Sequence, residues 1–177
     1  LFLKIRENMH IRRFKRLEGI LVPYVHGGGK IGVMVNLETP AGATDAVLAC
    51  GKDCALQVAA LKAPYLKRED VPADVLESEK KIMLAQMDED PKMANKPEQV
   101  KAKIVEGKIG KYYSENCLLD QEFVKDGSFT VQKYVDNCAK EANTTIKVVD
   151  YVCFERGEGV EKKEDNFADE VASMMKK

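Results

Sequence analysis

The stretch from Ile20 to Leu37 limits what this chain can fold into more than any other. Two short apolar runs, 20–25 and 31–37, flank the cluster Gly27, Gly28 and Gly29. Consecutive glycines reach positive φ without a Cβ penalty, which a tight chain reversal demands. In the second run Ile31, Val33, Val35 and Leu37 fall on one side, with Gly32, Met34 and Asn36 on the other. That period of two predicts a strand with one buried face. Pro23 cannot donate to a ladder, so the first run is expected at a sheet edge or beside a bulge.

Periodicity and punctuation predict the other elements. Pro40-Ala-Gly-Ala-Thr44-Asp45 is a turn into a helix, with Thr44 or Asp45 as N-cap. Val47, Cys50, Cys54, Val58 and Leu61 recur at helical spacing, so 44–62 should be a helix on the sheet, ended by Ala63-Pro64. Past Tyr65, Asp70 is a cap, Pro72 sits early in a helix, and Val75, Leu76, Ile82 and Met83 form a narrow stripe. After the polar connector 88–96, Pro97 opens a second helix, with Val100, Ile104 and Tyr112 on one side and Gly107 and Gly110 weakening it. Charged helices with thin apolar seams and a short link predict an antiparallel hairpin projecting from the body.

Residues 118–128 read as a returning loop, and Val131, Tyr134, Val135 and Cys138 mark a packed helix at 129–141. Ile146, Val148, Val152 and Phe154 alternate as a strand interrupted by Asp150 and broken by Gly157-Glu-Gly159. Residues 7–18 read as a strand with mixed faces. Residues 8–18 overlay 145–155, so that Ile11 meets Val148, Phe14 meets Tyr151, Leu17 meets Phe154 and Glu18 meets Glu155. That is either a true repeat or a chance match of two amphipathic strands. Asp165 caps a last short helix whose stripe is Phe167, Val171 and Met174, with Lys176 and Lys177 suiting its C-terminal dipole.

The expected fold class is α+β: a three-stranded antiparallel sheet with covering helices, an inserted antiparallel helical hairpin and a C-terminal helix. The expected units are a first core part at 1–66, the helical hairpin at 67–116, a second core part at 117–160 and a C-terminal helical module at 161–177.

Composition removes several function classes. At 177 residues, 32% charged and 45% hydrophobic, the chain has the profile of an ordinary globular protein. A formal net charge of −1 argues against a nucleic-acid partner, which needs a basic surface. No apolar run approaches the ~20 residues of a membrane span, so no membrane partner is expected. The start, Leu1-Phe-Leu-Lys-Ile, has no Met and no signal-peptide layout, and reads as a cut inside a longer protein. Five cysteines without a Cys-x-x-Cys pair suit reduced thiols in a cytoplasmic setting.

No catalytic, cofactor or metal site is expected. A phosphate cradle needs its glycines to lead into a helix, with Ser or Thr after the Lys; here Gly27–Gly29 and Lys30 lead into a strand. Cys50 and Cys54 sit on an apolar stripe, where Cys behaves as a small hydrophobe, and two histidines do not make a zinc site. No nucleophile–base pair or carboxylate constellation stands out. His26 has two readings, a turn decoration or a contact residue. Phe167, Val171 and Met174 could be core, but a short terminal helix after a Gly-Glu-Gly hinge has little core of its own, which favours an interface.

Tyr24-Val-His-Gly-Gly-Gly-Lys-Ile-Gly-Val33 resembles the second core hairpin of bacterial elongation factor Ts. The resemblance continues through Asp53-Cys-Ala-Leu-Gln-Val-Ala-Ala60, Arg68-Glu-Asp-Val-Pro-Ala73 and Lys103-Ile-Val-Glu-Gly107. It closes with Phe154-Glu-Arg-Gly-Glu-Gly-Val-Glu-Lys162 and Asp165-Asn-Phe-Ala-Asp-Glu-Val-Ala172, so it runs in order along nearly the whole chain. It implies a non-enzymatic guanine-nucleotide exchange factor that binds elongation factor Tu, GDP-bound and nucleotide-free, and promotes exchange of GDP for GTP. It also implies that His26 and Gly27–Gly29 touch the third domain of that partner, and that Phe167, Val171 and Met174 dock on its nucleotide domain. The family's two related core halves favour a true repeat. Thr44-Asp45-Ala46-Val47 is similar to the family's Thr-Asp-Phe-Val segment, but Ala46 replaces the inserting Phe and that segment belongs to the other core half. The competing reading is a non-catalytic interaction module that self-associates through its helical hairpin.

Overall fold

Strand β1 (Ile20–His26) runs against β2 (Ile31–Glu38), and β2 runs against β5 (Lys147–Glu155), giving an antiparallel sheet of order β1-β2-β5. The computed structural model describes residues 2–6 and 11–159. β1 is an edge strand, as Pro23 requires. Val33, Val35 and Leu37 of β2 are buried, as their alternation predicts, and Val22 of β1 joins them.

The third strand departs from simple alternation. Leu37 pairs with Val148 but Asn36 pairs with Asp150, so Val149 is an extra residue in a β-bulge. One inserted residue flips every later side chain to the other face. Val148 therefore shares the core face with Tyr151 and Cys153, while Val152 and Phe154, expected beside Val148, point the other way.

Helix α2 (Asp45–Leu61) covers the core face and is capped by the Thr44 hydroxyl, which accepts from the Val47 N–H at 3.4 Å. Val47, Cys50, Cys54 and Val58 are buried as expected, but Leu61 is half-exposed. Gly51 sets the helix-to-sheet distance: a Cβ there would come within 2.6 Å of Val22 Cγ2 and 2.8 Å of Leu37 Cδ1. Helix α5 (Val131–Glu141), capped by Thr130, packs beside α2.

The returning segment is more ordered than a loop. After a 3₁₀ turn at Leu118–Asp120 come short strands β3 (Glu122–Phe123) and β4 (Asp126–Thr130). The Phe123 ring stacks on Tyr134 at 4.1 Å between centroids, and the Tyr134 hydroxyl donates to Asp53 at 2.7 Å. Gln57 is fully buried. Its amide donates to Gln121 Oε1 (3.1 Å) and the Glu122 carbonyl (3.0 Å), while its carbonyl accepts from the Val124 N–H (2.8 Å).

Helices α3 (Ala73–Glu89) and α4 (Glu98–Asn116) form the antiparallel hairpin, and α4 runs unbroken through Gly107 and Gly110. Its seam is Leu76, Met83 and Met87 against Ile104, Val105, Ile109 and Tyr113. Ile82, expected in the stripe, is exposed because it lies one position off that seam, and Val100, one turn before Ile104, is exposed as well. Asp70 caps the 3₁₀ turn Arg68–Asp70 by accepting from the Lys67 N–H, and Pro72 precedes α3. Tyr65 bonds Asn116 and Leu118 at the root, so the hairpin leaves and rejoins the body at one place.

Residues 11–18 carry no strand, contrary to expectation. Ile11 and Phe14 find no surface to bury against and are 89% and 86% exposed. Side chains alone hold the segment along β5: Arg13 pairs with Glu158 and lies over the Phe154 ring, and Lys15 pairs with Asp150. The short helix α1 (Phe2–Ile5) lies upstream. The expected C-terminal helix, with Phe167, Val171 and Met174, lies outside the described residues.

Candidate functional site

The hairpin tip presents its backbone where β1 turns into β2. Gly27, Gly28 and Gly29 have φ of 60°, 64° and 88°, and the Lys30 N–H closes the turn on the His26 carbonyl at 3.1 Å. A Cβ on Gly28 or Gly29 would meet no atom within 4 Å, so the backbone angle demands glycine there while the space outside stays open. The third strand reaches the tip too: the Arg156 N–H donates to the Lys30 carbonyl at 2.8 Å.

His26, Ile31 and Glu155 lie in one row across the three strands. This row continues the core face beyond Tyr24, Val33 and Cys153. Lys62, the left-handed C-cap of α2, pairs with Glu155 and ties the helix end to the row. His26 is exposed, and its Nδ1 lies 3.0 Å from the Tyr24 hydroxyl. The structure thus brings His26 and the three glycines together on one surface. Tyr24 and Lys62 were not singled out from sequence. Tyr24 was findable, because residues two apart on a strand share a face; the Lys62 contact depends on where α2 ends.

Cys50 and Cys54 are buried in the core, and hydrogen bonding with Cys54, then burial, pushes the Cys50 thiol pKa up. Burial pushes Cys117 up to about 11. Such thiols stay protonated and poorly nucleophilic. Among the described residues no group of three His, Cys, Asp or Glu side chains could hold a metal ion. No described helix is long and apolar enough to cross a membrane. Thr44-Asp45-Ala46-Val47 is the capped first turn of α2, with Ala46 exposed. A groove between α3 and α4 is lined by Leu84, Ala102, Val105 and Ile109, with Lys80 and Lys101 at its sides.

The family model described as elongation factor TS matches residues 1–158. Elongation factor Ts of Syntrophotalea carbinolica is 45% identical over 175 residues, covering 97% of this chain and 56% of that protein. The Clostridium tetani protein of the same name is 44% identical over 175 residues with the same coverage. That of Clostridium botulinum is 45% identical over 179 residues, covering 99% of this chain and 56% of its own length. The chain spans about half the length of the curated relatives it matches.

Proposed function

Because the chain belongs to the elongation factor Ts family, we propose that it binds elongation factor Tu and loosens that protein's hold on GDP. The observation that carries this reading is the tip: an exposed imidazole beside three glycines, at the end of a hairpin fixed by a third strand and a helix C-terminus. A protein surface can approach such a backbone closely, and little entropy is lost on docking because the hairpin is already ordered.

Exchange needs no bond made or broken by this chain. A factor that binds elongation factor Tu more tightly without GDP and magnesium must, by reciprocity, lower the affinity for both. His26 and Gly27–Gly29 supply one contact, and Phe167, Val171 and Met174 a second. The hairpin at 67–116 acts as a separable insertion, and the protein works in the cytoplasm with its partner. The family's Thr-Asp-Phe-Val segment does not occur within these 177 residues, and Thr44–Val47 is only similar to it, so docking is the stronger part of the activity.

A pull-down against elongation factor Tu tests the reading. Retention of the chain should rise when GDP is removed; no retention, or equal retention with excess GDP, would refute it. Exposed Ile82, Leu84 and Val100 favour a second reading, self-association through α3 and α4. A concentration-dependent dimer in sedimentation, lost on Ile82→Lys, would identify it.

A further inference from the structure

The imidazole at the tip has a partner within its own strand, and that partner sets what the tip can recognise. Tyr24 and His26 are two residues apart on β1 and project from the same face. The Tyr24 ring is half-buried against the core beneath α2, whereas His26 stands beyond it in solvent. The ring centroids are 5.9 Å apart at 36°, and the hydroxyl meets Nδ1 at 3.0 Å.

We propose that Tyr24 is a positioning residue for the tip: its hydroxyl donates to His26 Nδ1 and holds the imidazole as the Nε2–H tautomer, an outward donor aimed at an acceptor oxygen of the partner. The inference rests on the tip being a docking surface. A neutral imidazole has one donor and one acceptor nitrogen, so a hydrogen bond received at Nδ1 leaves the proton on Nε2. Core packing keeps the tyrosine from following His26 outward, so the bond fixes the exposed ring rather than the reverse. Fixing the rotamer before docking removes part of the ordering cost of association. The nearest acidic neighbour in the row, Glu155, is engaged by Lys62 and does not compete for the imidazole.

Histidine-selective ¹⁵N NMR on the intact chain reads the tautomer directly. His10 and His26 are the two imidazoles, so one further spectrum with His10→Asn assigns them. The expected wild-type spectrum at neutral pH has a protonated Nε2 and a bare Nδ1, shifting toward a tautomer mixture in Tyr24→Phe. Tyr24→Phe should weaken binding to elongation factor Tu about three- to tenfold, the worth of one net hydrogen bond, and should have no further effect once His26→Ala is present. A wild-type Nδ1–H tautomer, or a tautomer unchanged by Tyr24→Phe, would overturn the positioning role. Equal weakening with and without His26 would overturn it too. His26→Ala with undiminished affinity would instead refute the tip as a docking surface, while the NMR result still decides the positioning role.

Discussion

Replacing Gln57 with Leu should destabilise the fold far more than a polar-to-apolar change in a buried helix face suggests. Leu matches the glutamine in bulk and buries more apolar surface. Yet Gln57 is fully buried and bolts α2 to the chain returning from the helical hairpin. Without it, Gln121 Oε1 and the Glu122 carbonyl lose the donor they share, and the Val124 N–H loses its acceptor. Val124 is 41% exposed and Glu122 is exposed as well, so their backbone groups can turn to water, whereas Gln121 is 2% exposed and cannot. Each buried polar group left unpaired costs about 1–3 kcal/mol. One such group, offset in part by the modest gain from leucine, gives a loss of roughly 1–2 kcal/mol. Urea unfolding followed by circular dichroism is the assay, with the midpoint falling and the slope unchanged. A loss below about 0.5 kcal/mol, typical of a surface substitution, would refute the bolt.

Gly51→Ala should also destabilise, by roughly 1–3 kcal/mol, although alanine is the better helix former by about 1 kcal/mol, because the new methyl collides with Val22 and Leu37; a higher melting temperature would contradict the close approach. Stability should fall as pH rises from 9.0 towards 11, because burial raises Cys117 and Cys138 from 9.0 to about 11. Over that window the unfolded chain releases protons that the fold retains. Urea midpoints at either end of it should differ less in Cys117→Ser, and an equal fall would remove Cys117 as a cause. Replacing residues 72–115 by a short Gly/Ser link should leave one cooperative thermal transition, since Tyr65 already bonds Asn116 and Leu118 at the root; a broad or split transition would show that the hairpin supports the body.

The hairpin was legible because its glycines and its alternation act within a few residues. The buried stripe of α2 was legible too, with Cys50 and Cys54 serving as small hydrophobes. The bulge at Val149 was not, because an inserted residue leaves no mark on composition and shows only in the register against β2. Gln57 escaped notice because a polar side chain on a helix reads as a solvent face until its partners, more than sixty residues on, are brought beside it. Residues 11–18 have the pattern of a strand, but a strand exists only where a ladder partner is placed. At the tip, position was readable from the glycines, whereas the orientation of the imidazole depended on Tyr24 and on how far α2 reaches.

Docking and exchange meet in one quantity, the rate at which elongation factor Tu releases GDP when this chain is bound. Stopped-flow release of a fluorescent GDP analogue at saturating chain measures it directly. Each ~1.4 kcal/mol of differential binding between the GDP-bound and nucleotide-free partner is worth tenfold in the coupling. The rate should rise above the unassisted rate and stay well below that given by a full-length relative such as the Clostridium tetani factor. No acceleration at saturation would contradict the proposed function. Release as fast as with the full-length factor would contradict the conclusion that docking is the stronger part of what these 177 residues do.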